Sequence, residues 1–279
     1  LAPRIASFTS LTGHDEKTPG PRKSTSEEEL RSRMFASLPG GTRTGLLLHS
    51  ILERVSFSAL ESDEVKSEID RQLSAYGFGL SFTESLQRDL VTMGATPLFS
   101  EPDSPGLANL RPDRQLRELE FTLSASRPRL DELAKLLREH GAPSAAPGYA
   151  ERLSDLHNRS LQAFLRGYID LMFEWNGRWY VADYKSNTLP SYDAPDVNEA
   201  AQREHYVLQA LLYSAAAQRY LHQRVLNYDP ATQWGGALLL FLRGMRGPDS
   251  GVGSVFFDRQ SPALLAALDR WIGGDDEHR

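Results

Sequence analysis

Asn176-Gly177 restricts this chain more than any other pair of residues in it. It separates two alternating runs rich in β-branched and aromatic residues. These are Arg166-Gly167-Tyr168-Ile169-Asp170-Leu171-Met172-Phe173 and Trp179-Tyr180-Val181-Ala182-Asp183-Tyr184-Lys185-Ser186-Asn187. Such runs form strands, and Asn-Gly between them specifies a two-residue type I′ hairpin. The turn sets the register. Trp175 faces Arg178, and counting outward puts Asp170 opposite Asp183. The period of two places Lys185 on the same face as Asp183. Ile169, Leu171 and Phe173 alternate with the acids and meet Tyr180 and Ala182, so one face is expected to pack and the other to carry chemistry. A one-residue slip would exchange the two faces. Like charges facing each other on a sheet are destabilising, so the pair beside a lysine points to a bound divalent cation.

The chain of 279 residues is long enough for a sizeable core, and 40% hydrophobic with 24% charged residues is ordinary for a globular protein. It has no cysteine, which excludes disulfides, zinc–thiolate sites and cysteine-ligated iron–sulfur clusters. No apolar run is long enough to span a membrane, and no secretory hydrophobic region opens the chain. It begins at Leu1, which points to a piece of something longer. A net charge of −6 argues against a protein that coats nucleic acid, but leaves room for a local basic groove. Arg111, Arg114 and Arg117 form one basic stretch, and Arg219, His222 and Arg224 another.

Residues 1–27 are rich in Thr, Ser, Pro, Gly and Lys and read as a linker, with a possible short strand at 5–8. Residues 28–150 are expected to be mainly helical and 151–279 to hold the sheet, as parts of one domain. Ser26 caps a first helix that stops at Pro39-Gly40-Gly41. Further helices are predicted over 44–60, 63–76, 82–97, 129–140, 198–223 and 262–272. Strands are predicted at 115–123, in the hairpin, and at 237–242 and 254–258. No phosphate-binding loop of the G-x-x-x-x-G-K-[ST] type is present, so ATP hydrolysis is not expected.

Two helices add candidate chemistry. His49 and Glu53 lie one helical turn apart on the helix from Thr44, and an imidazole there could complete a cation site begun by the hairpin acids. Gln209 and Tyr213 have the same spacing on the long helix, beside the packing stripe of Leu208, Leu211, Leu212 and Ala215.

The order Gly-x-x-x-His-x-x-x-Glu, Gly-Tyr-Ile-Asp, Asp-Tyr-Lys-Ser-Asn, Gln-x-x-x-Tyr resembles the nuclease domains of the RecB family, within the PD-(D/E)XK superfamily. Gly235-Gly236-Ala237-Leu238-Leu239-Leu240-Phe241-Leu242-Arg243-Gly244 and Arg117-Glu118-Leu119-Glu120-Phe121 extend the likeness, which runs from about Thr44 to Trp271. The second acid is Asp183, where many superfamily members carry glutamate. The resemblance implies an α/β, restriction-endonuclease-like fold: a central mixed sheet flanked by helices, with a helical N-terminal elaboration. It also implies that His49, Asp170, Asp183 and the carbonyl of Tyr184 ligate metal and that Lys185 is catalytic with the two aspartates. Gln209 and Tyr213 would line the site and contact DNA. Either Glu118 or Glu120 could approach it.

The implied activity is Mg²⁺-dependent DNA hydrolysis of the exodeoxyribonuclease V type, with Mn²⁺ as a substitute and Ca²⁺ as an inhibitor or regulator. The implied partners are single-stranded DNA ends, an upstream helicase domain, RecC- and RecD-like subunits and RecA, in the bacterial cytoplasm. Two other readings stay open: a standalone nuclease of the same superfamily, and a non-catalytic docking module.

Overall fold

The computed structural model describes residues 5–6, 33–124, 129–144, 146–155 and 164–273. In chain order the strands are β1 (Ile5–Ala6), β2 (Gln115–Ser124), β3 (Phe164–Trp175), β4 (Arg178–Lys185), β5 (Trp234–Phe241) and β6 (Val255–Asp258). The helices are α1 (Thr42–Arg54), α2 (Asp63–Ala75), α3 (Thr83–Gly94), α4 (Leu130–His140), α5 (Tyr149–Asp155), α6 (Ala194–Arg203), α7 (Tyr206–Arg224), α8 (Pro230–Gln233) and α9 (Pro262–Gly273). Among the described residues, no helix is long and apolar enough to cross a membrane.

The sheet is mixed and runs β1-β3-β4-β5-β6, with β2 paired to β3. β3 is antiparallel to both β2 and β4, while β4 and β5 run parallel in the middle. Every residue of β5 is buried. A continuous apolar strand of this kind needs cover on both faces, and helices provide it. One core lies between the sheet and α4, α5, α6, α7 and α9. The other lies under α1, α2 and α3 and takes in Leu171, Phe173, Tyr180 and Ala182. The fold is the expected α/β architecture with a helical N-terminal layer.

Asn176 and Gly177 adopt left-handed φ values of 49° and 75°, as a type I′ turn requires. The expected register follows, from Trp175↔Arg178 to Leu171↔Ala182. Several expectations need correction. The hairpin has no open chemical face, because Met172 and Val181 pack in the core beneath α7. Ile169 joins that same core, whereas Leu171 and Phe173 join the other, so the alternation breaks at Asp170. Glu118, on the neighbouring β2, has a φ of 48°, which marks the same local twist.

A further correction concerns the helix expected over 198–223. It is two helices, α6 and α7, broken at His205, which has a φ of 56° and a ring nitrogen 3.1 Å from the Tyr149 hydroxyl. The helix predicted over 44–60 ends at Arg54, and α5 was not anticipated. Most of the helix expected from Ser26 lies outside the described residues, and residues 34–37 form turns. Of the strand expected at 5–8, Ile5–Ala6 is described, parallel to β3.

Candidate active site

The site lies where β3 and β4 part. Their ladder ends at Leu171↔Ala182, one step short of the aspartates. The backbone N–H of Tyr184 instead donates to Asp170 Oδ2 at 2.7 Å. A side chain thus takes the hydrogen bond that a further ladder pair would have used. Asp170, Asp183 and Lys185 are all buried.

Helix α1 brings His49 to the Asp170 side. It packs through Leu47, Leu48, Ile51 and Leu52, all fully buried, and this stripe turns His49 to the sheet. His49 Nδ1 lies 3.4 Å from Asp170 Oδ2, and Nε2 lies 3.0 Å from the Tyr184 carbonyl oxygen. Glu118 completes this group, with ligand atoms of His49, Glu118 and Asp170 all within 4.8 Å of one another. Glu120 does not belong to it and pairs with Arg166 at 2.6 Å. Glu53, one turn after His49, contacts Arg54.

Helix α7 faces the Asp183 side. Asp183 Oδ1 accepts from Gln209 Nε2 at 3.1 Å, and its Oδ2 contacts the Lys185 ammonium. Lys185 also donates to Gln209 Oε1 at 2.6 Å and stands 3.8 Å from the centre of the Tyr206 ring. The Gln209 amide donates to the Tyr213 hydroxyl at 2.7 Å, and the Tyr206 hydroxyl to Asn187 Oδ1 at 3.0 Å. Tyr206, Gln209 and Tyr213 share one face of α7, at i, i+3 and i+7. The break at His205 lets α7 start with that face towards β4.

The charges are out of balance. Burial raises Glu118 to about 7, and the Asp170 carboxylate adds to the effect. Burial likewise raises Asp183, with Asp170 adding and Lys185 opposing. Burial, the largest effect, works against a charged His49, yet the Asp170 and Asp183 carboxylates together lift the imidazole to about 9. Burial, the largest effect, also works against a charged Lys185, and Asp183, Tyr206 and Asp170 together raise it. Three acids share a low-dielectric pocket with an imidazole whose proton a bound cation would displace. Such a cluster has an excess of negative charge, and its hard oxygen donors with one imidazole fit a divalent cation.

The structure places His49, Asp170 and the Tyr184 carbonyl on one side of the seam, with Glu118 rather than Glu120, and Asp183, Lys185, Gln209 and Tyr213 on the other. Asp183 is not in the group of ligand atoms that lie within 4.8 Å of one another. Sequence reasoning missed Tyr206, although its place three residues before Gln209 was a usable signal. In the two basic stretches, His222 and Arg224 are exposed, and the arginines before them make local contacts. Arg111 pairs with Asp113, Arg114 with Glu174 and Arg219 with Asp269, and Arg117 turns inward.

A family model described as the PD-(D/E)XK nuclease superfamily matches residues 25–272. The chain is 39% identical over 240 residues to RecBCD enzyme subunit RecB of Haemophilus influenzae, covering 83% of this chain and 18% of that protein. The subunit of the same name from Mycolicibacterium smegmatis is 34% identical over 271 residues, covering 86% of this chain and 25% of the relative. That of Escherichia coli is 30% identical over 247 residues, covering 85% of this chain and 19% of the relative. The chain thus spans between 18% and 25% of the length of these relatives.

Proposed function

The chain belongs to the PD-(D/E)XK nuclease superfamily, and from this we propose that it is the DNA-hydrolysing domain of a RecBCD-type helicase–nuclease. One observation carries the reading. Asp183 and Lys185 are ion-paired on β4, while Asp170 accepts the N–H of the intervening Tyr184 across the opened seam. Two acids and a lysine are thereby gathered at one buried point.

A divalent cation, Mg²⁺ or Mn²⁺, would be held by His49, Asp170, Asp183 and the Tyr184 carbonyl, with Glu118 in reach. When bound, it supplies charge neutralisation to the phosphodiester and acidifies water. Ca²⁺, being larger and more loosely coordinated, would occupy the site as an inhibitor. Lys185 stays protonated beside Asp183, so its part is to orient the attacking water and to stabilise charge developing on the phosphoryl oxygens. Gln209 holds Lys185 and Asp183 together through the two ends of one amide. Tyr213 anchors that amide and lines the path of the strand.

The substrate in this reading is a single-stranded DNA end, cut in the manner of exodeoxyribonuclease V, in the bacterial cytoplasm. In this reading the nuclease domain takes in residues 28–279 together with β1, which pairs with β3, and the rest of 1–27 is the end of a tether to a helicase domain. RecC- and RecD-like subunits and RecA are the protein partners. End-labelled single- and double-stranded DNA, incubated with Mg²⁺, Mn²⁺, Ca²⁺ or chelator, tests the reading. Cleavage in Mg²⁺ that chelator and Asp183→Ala both abolish is expected. Cleavage by a folded Asp183→Ala variant would overturn the site assignment. Loss of all cleavage with intact partner binding would favour a docking role.

A further inference from the structure

Resting on the reading of His49 as a cation ligand, we infer that Arg243 and Arg117 are positioning residues that hold the two ends of α1 against the sheet. They thereby set where the His49 imidazole stands relative to Asp170 and Tyr184.

Arg243 follows β5 by two residues, and β5 pairs Phe241 with Lys185. Its guanidinium is buried, yet no carboxylate lies within ion-pair distance of it among the described residues. It is satisfied by three carbonyls from two segments. Nε donates to Ser186 at 3.0 Å, next to Lys185. The other two nitrogens donate to Phe35 at 2.9 Å and Pro39 at 3.2 Å. The carbonyl of Arg243 itself accepts from Met34 N at 3.1 Å, and Asp89 grips the same segment through Phe35 N at 2.7 Å. Beyond Pro39 come Gly40 and Gly41, the latter with a φ of 108°, and then α1. α1 has no side-chain cap and no acid in its first turn. Its start is therefore placed by the segment that Arg243 holds.

Arg117 acts at the other end. From β2 it donates to the carbonyls of Leu52 at 3.0 Å and Glu53 at 3.3 Å, and also to that of Val55. These are the carbonyls that a helix C-terminus leaves without intrahelical partners. Its guanidinium also covers the Phe57 ring at 3.9 Å. The next residue on β2 is Glu118, in the site itself. Each arginine thus ties one end of the His49 helix to a strand that carries or adjoins a site residue.

Titration of the full chain with Mn²⁺ tests this, using Arg243→Lys and Arg117→Lys. Lysine keeps the charge but lacks the planar fork that spans several carbonyls. Each substitution should weaken Mn²⁺ binding about tenfold, the lower end for contacts that orient a metal ligand. On a His49→Ala background the same substitutions should change Mn²⁺ affinity by less than about twofold, because they act through that imidazole. A merely structural role would give the same loss in both backgrounds, and that result overturns the inference. So does unchanged affinity in the folded lysine variants when His49→Ala alone weakens binding. Unchanged affinity in His49→Ala overturns the ligand reading, and this inference with it. If Arg243→Lys does not fold, Arg117→Lys decides the question by the same comparison.

Discussion

Lys185 has three neighbours at once: the Asp183 carboxylate, the Gln209 carbonyl and the face of Tyr206. The first two were legible as motif residues. Tyr206 was missed, although its place three residues before Gln209 puts it on the same face of the helix. The ring contact has a testable value. A desolvated cation–π contact contributes about 1–2 kcal/mol, and about 1.4 kcal/mol is tenfold in rate. Tyr206→Phe keeps the ring and removes the hydrogen bond to Asn187, so single-turnover cleavage should stay within about threefold of wild type. Tyr206→Leu should cost about tenfold or more. Equal rates in the two variants would show that the ring does not hold the lysine. In the same assay Lys185→Ala should lose most cleavage while Mn²⁺ affinity stays within about twofold, since the ammonium serves water and phosphate rather than the ion.

At the scale of elements, the hairpin was readable because all its determinants are local. Two residues set the turn, and alternation set the register. Gly177 has a φ of 75°, so Gly177→Ala should cost about 1–2 kcal/mol in urea unfolding. A cost below about 0.5 kcal/mol would mean that the turn does not need its left-handed residue. The twist at Asp170 and Glu118 was not readable. It arises because a carboxylate replaces a ladder partner and because helices press on both faces, and these are contacts between distant segments. The break at His205 escaped for the same reason. Its stretch has a continuous helical pattern, and the Tyr149 hydroxyl that meets the His205 ring comes from 56 residues away.

For the molecule as a whole, the sheet-and-helix layout was legible from strand and helix patterns, and the site from the order of its motifs. How the two cores divide the sheet was not, since alternation along one strand does not say which helices cover each face. The covered edge has a measurable cost. Burial raises Asp258, on β6, to about 6, against hydrogen bonds from Gln260 and the Ser144 backbone. Its folded value lies above the ordinary one, so the folded chain holds the extra proton. The stability from the neutral acid is full below about pH 4 and is lost as pH rises through about 6. Thermal unfolding of wild type and Asp258→Asn across pH 4–7 should therefore converge at low pH. At high pH the variant should gain, by an amount on the order of 2 kcal/mol. A constant difference across that range would show that Asp258 does not titrate with folding.

The seam between β3 and β4 draws on both layers. His49 comes from the helices over one face, and Gln209 and Tyr213 from the helix over the other. Neither layer alone contains the set. A chain still emerging or refolding, with one layer undocked, has lost either the imidazole or the amide that steadies the lysine. Cleaving power should therefore be the last property gained during folding and the first lost during unfolding.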